Sequence, residues 1–166
     1  MFLASFNNLI FDFVVRNKIG GTHLTYFIIE QLPIFVPETY SSLQEKFIKA
    51  RILELTYTSK DIKPFAHSIG YEGEPYTWDE DRRALLKAEL DAYYAKLYGL
   101  TRDELLYILD PEAVYGEGFP GETFQVLKNK EIRKYGEYRT KRLVLEAWDR
   151  LERGEVMMSE DEDWEM

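Results

Sequence analysis

Three consecutive acids, Asp79, Glu80 and Asp81, are the first group in the chain whose residue types suggest chemistry. Carboxylates so close together can exchange protons with a substrate or bind a metal ion. Acids are also favourable in the first turn of a helix, and the stretch 77–80 has the spacing of a capping box. We therefore interpret this group as structural and predict no catalytic residue in it.

Other reactive groups are scarce in the sequence. There is no cysteine, and the two histidines, His23 and His67, are far apart and lack a paired-histidine motif. This composition excludes a disulfide framework and argues against zinc. The sequence has no GxGxxG or P-loop motif, no nucleophile motif and no Asn/Asp-Pro-Pro-aromatic motif for holding a flipped base. We predict that the chain has no catalytic, cofactor-binding or metal-binding residues.

A double glycine surrounded by hydrogen-bond donors is the first candidate binding element. Gly20 and Gly21 would let the backbone approach a ligand closely. The neighbouring donors could contact phosphates or base edges; they are Arg16, Lys18, Thr22 and His23. The alternative is a helix C-terminus, in which a glycine adopts the left-handed conformation and the basic residues complement the helix dipole. Spacing alone favours this alternative.

A basic cluster over residues 128–142 is the second candidate. It is formed by Lys128, Lys130, Arg133, Lys134, Arg139, Lys141 and Arg142. The segment contains only two acids, Glu131 and Glu137, so it is locally positive and could neutralise phosphates. The alternative is a solvated, salt-bridged helix face, because Arg142, Glu146 and Arg150 are spaced four apart.

The chain as a whole is acidic. It has 166 residues and a net charge of −9, and the residues after Gly154 include six acids and no base. We expect a disordered tail over 154–166, since this segment has little apolar surface to offset the entropy of ordering. Negative charge repels phosphate, so any DNA contact must come from local patches. No apolar run approaches the roughly 20 residues that span a bilayer, and we expect a cytoplasmic protein with no membrane partner.

The N-terminal part is predicted to be mixed α/β. Residues 2–19 have apolar side chains on most helical faces, and Leu24–Ile29 is rich in β-branched and aromatic residues, which predicts a strand. Pro33 and Pro37 then indicate an extended connector. The best internal boundary falls at this connector.

The remainder is predicted to be four or five short helices packed as a bundle. Capping-box patterns begin at Ser42, Thr77 and Thr101, and residues 58–76 are predicted to be a loop. A stripe of Leu86, Leu90, Tyr93 and Leu97 predicts the buried face of one helix, and Lys87 and Asp91 predict its solvated face. Helices are also expected over about 122–134 and 137–153. The last should bury Val144, Ala147, Trp148 and Leu151. The predicted fold class is mainly α with a small mixed N-terminal piece.

Six stretches, in order, resemble the C-terminal end of restriction-modification adenine methyltransferases. The family is the N-6 DNA methylase family, which includes type II fused restriction-methylation enzymes. The stretches are FDFVVR (11–16), GGTHL (20–24), EQLP (30–33), LYGLTRDEL (97–105), YILD (107–110) and YGEYRTKRLVLE (135–146).

The resemblance implies that residues 1–37 end a target-recognition region and that 38–153 form a helical C-terminal domain supporting it on double-stranded DNA. It favours the 20–23 turn and the 128–142 cluster as DNA-binding elements. The family's catalytic domain, which binds S-adenosylmethionine, has no counterpart in this sequence, so we expect that domain or chain to be a partner. The implied function is DNA recognition and support in restriction-modification, inactive alone. The alternative, motivated by charge and aromatic content, is an acidic helical protein-interaction module that does not bind DNA.

Overall fold

A computed structural model of the chain describes residues 1–21, 23–120 and 123–155. Over these residues the chain forms ten α-helices and two short 3₁₀ helices. The α-helices are α1 Phe2–Phe6, α2 Leu9–Lys18, α3 Tyr26–Ile29, α4 Ser42–Thr56, α5 Lys63–Ser68, α6 Glu80–Leu97, α7 Arg102–Leu109, α8 Pro111–Tyr115, α9 Gln125–Tyr135 and α10 Arg139–Glu152. The 3₁₀ helices are Pro37–Thr39 and Lys60–Ile62.

The N-terminal part is helical, so the predicted mixed α/β piece is wrong. The described residues contain no β-strand, and Leu24–Ile29 includes helix α3 instead. The Thr25 carbonyl accepts hydrogen bonds from the Ile28 and Ile29 N–H groups at 3.0 and 3.1 Å. A strand must bond its backbone to a second strand, and none exists in the described chain, so a local helical turn satisfies these groups instead. Seven α-helices follow residue 38, more than the four or five predicted.

Helix α6 is the centre of the fold. The predicted stripe is confirmed at Leu86, Leu90 and Tyr93, which are buried. Helix α10 packs along α6, with α2 and α4 also contacting α6. The predicted inner face of α10 is confirmed, since its four residues are all buried: Val144, Ala147, Trp148 and Leu151.

The helix predicted over residues 2–19 is two helices. Helix α1 ends at Phe6, and the Asn8 side chain accepts a hydrogen bond from the Phe11 N–H at 2.9 Å, as an N-cap does. The Leu9 N–H donates to Oδ1 of Asp91 on α6 at 2.7 Å. Two otherwise unpaired donors at the start of α2 are therefore satisfied, one of them by a distant helix.

Asp91 is buried, although its spacing from Lys87 predicted a solvated position. It is 6% exposed. Burial raises the pKa of Asp91 to about 7, with the Leu9 hydrogen bond and Lys87 opposing the shift. The prediction failed because other helices pack against α6 on several sides. The spacing of Lys87 and Asp91, four residues apart, therefore could not show which face of α6 is solvated.

A triangle of hydroxyl groups joins the N-terminal part to α6. The side-chain oxygens of Ser5, Tyr40 and Tyr94 lie 3.3 Å from one another in each pair. Ser5 and Tyr94 are fully buried, and burial raises the pKa of the Tyr94 hydroxyl. Ala4 and Ile10 belong to the same hydrophobic core as the C-terminal helices. Residues on both sides of the predicted boundary at 37 therefore share one core.

Local signals located several helix ends, with shifts of a few residues. The Thr101 capping box is present, but the box of α4 uses Ser41 and Gln44 rather than Ser42 and Glu45, and Asp79 alone caps α6. The predicted loop 58–76 contains α5, which packs on a second small core with the end of α4.

No helix in the described part of the chain has the length and apolar character needed to cross a membrane.

Candidate nucleic-acid interface

The exposed end of α2 holds the first predicted binding element. Arg16, Lys18, Gly20, Gly21 and His23 are solvent-exposed, and Thr22 lies outside the described residues. The helix ends at Lys18, the next residue, Ile19, is extended, and neither glycine has a positive φ, so the expected left-handed glycine cap is not formed. A β-carbon placed on either glycine would meet no other atom within 4 Å. The backbone here is open to a large ligand.

Arg16 links this turn to α9. Its Nε donates to Asp12 at 2.9 Å, and its guanidinium carbon lies 5.8 Å from the ring centre of Phe124. Phe124 is buried and directly precedes α9. The two predicted binding elements, far apart in sequence, therefore meet where α2 ends and α9 begins.

Most of the basic cluster is paired with carboxylates. Five of its seven members form internal ion pairs; they are Lys128, Lys134, Arg139, Lys141 and Arg142. The alternative interpretation, a salt-bridged helix face, is confirmed for Arg142, which lies between Glu137 at 2.9 Å and Glu146 at 3.0 Å. Arg150, however, pairs with Glu89 at 3.4 Å.

Asp110 anchors two of these lysines. It is buried, and its carboxylate accepts hydrogen bonds from Lys128 at 2.8 Å and Lys141 at 2.7 Å. Lys128 also donates to Glu112 at 2.7 Å. Burial opposes ionisation of Asp110, but the two lysines outweigh it and hold its pKa below the ordinary value. The three ion pairs fasten α9 and α10 to the start of α8.

The acids at the start of α6 pair with the other end of the cluster. Lys134 lies 2.5 Å from Glu80, which also accepts a hydrogen bond from the Tyr135 hydroxyl at 2.9 Å. Arg139 lies 2.8 Å from Asp81. The bond from Lys134 lowers the pKa of Glu80. These contacts support the structural interpretation of the acids, whose partners lie more than fifty residues later in the chain.

Two members of the cluster remain available. Lys130 and Arg133 are exposed and have no carboxylate partner among the residues that the structure describes. The Arg133 Nε donates to the Asn129 carbonyl at 3.1 Å, which directs this side chain along α9. Lys18 on α2 is likewise exposed and without an ion pair in the described chain. These three cations can accept a phosphate without breaking an internal pair, and Arg16 uses only its Nε in the pair with Asp12.

A groove of about 970 Å³ runs between the N-terminal helices and the α6–α9 side of the molecule. Its lining is largely apolar and includes Phe6, Leu24, Trp78 and Leu127. The charged groups along it are mostly paired, as Glu131 is with the Thr140 N–H and hydroxyl at 2.7 and 2.6 Å. In the described residues no three His, Asp or Glu side chains are placed to hold a metal ion.

Sequence reasoning missed the buried carboxylates that position the candidate interface. Asp110 directly precedes Pro111, and nothing in the local pattern indicates that two lysines converge on it. For Asp91 a signal existed, because Ala88, Leu90 and Ala92–Ala95 place apolar side chains on nearly every face of α6.

Comparison with known proteins yields no match: no family model, curated protein or solved structure matches this chain.

Proposed function

We propose that this chain is a DNA-recognition and support module of a restriction-modification adenine-specific DNA methyltransferase. In this function the helical core holds the exposed end of α2 against double-stranded DNA. Methyl transfer belongs to a partner domain or chain that binds S-adenosylmethionine. The ordered resemblance over residues 11–146 supports the enzyme class, and the helical scaffold is compatible with a supporting role.

The observation that carries the proposal is the exposed, cationic end of α2. Arg16, Lys18, Gly20, Gly21 and His23 are all exposed at the end of a helix whose start is fixed by Asp91. A rigid helix with an open glycine turn can bring backbone and cationic groups close to a phosphate chain.

The test compares two double variants in DNA binding by the full chain at low salt. R16Q/K18Q removes two charges from the proposed contact, and K46Q/K63Q removes two exposed charges of α4 and α5 that form no ion pair in the described part of the chain. We expect R16Q/K18Q to weaken duplex binding by about tenfold or more, because each lost phosphate contact reduces the electrostatic term, and the control to change little. Equal effects of the two pairs would contradict a role for the α2 end.

The enzyme class is tested by activity. The tagged chain, purified with its partners from the cells that produce it, should transfer tritiated methyl groups from S-adenosylmethionine to adenine in duplex DNA. The chain purified alone should not. Failure of the purified assembly to methylate adenine would contradict the methyltransferase assignment, whatever the result of the binding test.

A second candidate, an acidic protein-interaction module, is favoured by one observation. Tyr26 and Phe27 on α3 are 75% and 71% exposed, and α3 has no buried residue. Large exposed aromatic side chains are typical of protein interfaces. A low-salt gel shift with and without residues 154–166 separates the candidates. If neither form binds duplex DNA, the protein-interaction module is supported and DNA recognition is contradicted.

A further inference from the structure

Helix α9 lies on the surface, held at its edges. None of its residues is fully buried. Its inner side is fastened by Lys128 to Asp110, by Glu131 to Thr140 and by Lys134 to Glu80. These contacts come from α6, from α10 and from the residue that directly precedes α8, so the orientation of α9 is fixed on three sides although it contributes little to the core.

The outer face of α9 consists of Val126, Asn129, Lys130 and Arg133. Their spacing of three and four residues places them on one side of the helix. All four are exposed, and Val126 is 81% exposed. The two cations of this face are the members of the basic cluster without an ion pair in the described part of the chain. On α9 the cations that form ion pairs, Lys128 and Lys134, therefore lie apart from Lys130 and Arg133, which form none in the described residues.

We propose that the outer face of α9 binds the phosphate backbone of double-stranded DNA, with Lys130 and Arg133 each neutralising one phosphate. Residues three apart on a helix have β-carbons about 5–6 Å apart, so both cations can reach neighbouring phosphates of one strand. This inference rests on the proposed function and adds a second contact surface to it.

Charge and position favour DNA as the occupant. The molecule has a net charge of −9, so two available cations on one rigid face are a local exception that complements a polyanion. The end of α2 also lies near the start of α9, since Arg16 lies over the ring of Phe124.

The contact is to phosphate and carries no sequence preference. Arg133 is bonded through Nε to the Asn129 carbonyl of its own helix, and the Asn129 side-chain oxygen accepts a hydrogen bond from Gln125 at 3.1 Å. The Nε bond removes one of the two paired geometries by which Arg contacts guanine, and the Gln125 bond engages the oxygen that Asn129 would use in a paired contact with adenine. The cationic ends of Lys130 and Arg133 remain for non-specific attraction.

The experiment measures the salt dependence of DNA binding for the full chain with two fluorescein-labelled duplexes of unrelated sequence. For K130Q/R133Q the slope of log Kobs against log salt should decrease in magnitude by about 2, equally on both duplexes, because about one counterion is released per neutralised phosphate. K46Q/K63Q, which makes the same change in net charge, should keep the wild-type slope. Circular dichroism verifies that each variant is folded.

Three results would overturn the inference. One is an unchanged slope in K130Q/R133Q while R16Q/K18Q reduces binding, which leaves the proposed function intact. Another is an equal reduction in the K46Q/K63Q control, which would reflect net charge alone. The third is a loss confined to one duplex, which would indicate base contacts. If the wild-type chain binds neither duplex, the proposed DNA recognition fails together with this inference.

Discussion

The carboxyl group of Asp91 accepts a hydrogen bond from the Leu9 N–H where α2 meets α6, and it is almost fully buried. Because burial raises its pKa to about 7, the folded protein binds this proton more readily than the unfolded chain does. The unfolding free energy contributed by this group therefore decreases as pH rises from about 4 to about 7. Above that range the fold contains a poorly solvated negative charge.

Replacement of this carboxyl by an amide should stabilise the protein at high pH only. In Asp91→Asn the amide oxygen can still accept from Leu9, while the buried charge is removed. One amide N–H group loses solvent, which offsets part of the gain, so we expect about 2 kcal/mol of stabilisation at pH 8. At pH 5, where wild-type Asp91 is already protonated, the gain should vanish.

Urea unfolding at the two pH values measures this difference. Asp61→Asn, at an exposed position beside Ser59, is the matched control, and its effect on stability should be small at both pH values. Equal effects of Asp91→Asn at pH 5 and pH 8 would mean that Asp91 is ionised throughout.

The residues that fasten the interface were harder to predict than those that form the core. Val144 and Trp148 follow from helical spacing, since a repeated apolar pattern identifies a buried face. The pairing of Lys141 with Asp110 joins residues 31 positions apart, and no spacing rule applies to it. The sequence could therefore indicate which residues are basic, but not which remain available for a ligand.

Helices α9 and α10 are joined through Gly136, which has a φ of 77° and donates its N–H to the Ile132 carbonyl at 2.9 Å. This left-handed conformation disfavours any residue with a β-carbon. The turn places Lys128 and Lys141 on the same carboxylate. A change at Gly136 therefore affects the position of the basic cluster as well as the helix end.

Alanine substitution at two glycines should have different costs. Gly136→Ala should destabilise the protein by about 1 kcal/mol, because alanine is strained at positive φ. Gly21→Ala should change stability by less than about 0.5 kcal/mol, since that glycine has no positive φ and open space around it. Thermal or urea unfolding of both variants measures the difference. A similar cost at both positions would contradict this conformational account.

At the level of elements, long periodic segments were predicted and short ones were not. Helices α6, α7 and α10 have apolar stripes and recognisable ends. Helix α3 and helix α5 are short. Helix α5 packs through Ala66 on the second small core, which the local pattern does not indicate, and α3 buries no residue at all. The composition of Leu24–Ile29 favours a strand, but without a second strand in the described chain the backbone bonds locally.

The whole molecule combines a net charge of −9 with cations that are largely paired internally. Long-range repulsion should therefore weaken its approach to DNA at low salt, while contacts at short range are unaffected. The acids of residues 156–166 contribute to this repulsion through their charge, wherever these residues lie.

Neutralising those acids should strengthen DNA binding only when salt is low. Substitution of Glu160, Asp161, Glu162, Asp163 and Glu165 by the matching amides removes five negative charges at constant length. We expect a gain in duplex affinity on the order of fivefold at 0.05 M salt, disappearing toward 1 M as screening shortens the range of the field. Fluorescence anisotropy across a salt series measures this. A gain that persists at 1 M salt would require another explanation than repulsion.

The burial of Ala4, Ser5 and Ile10 against helices that come much later in the sequence has a consequence for synthesis. During translation α1 and α2 emerge long before Tyr94 and Asp91, the groups of α6 that bond Ser5 and Leu9. They cannot complete their packing until α6 has left the ribosome. Until then their apolar side chains are exposed to chaperones and proteases.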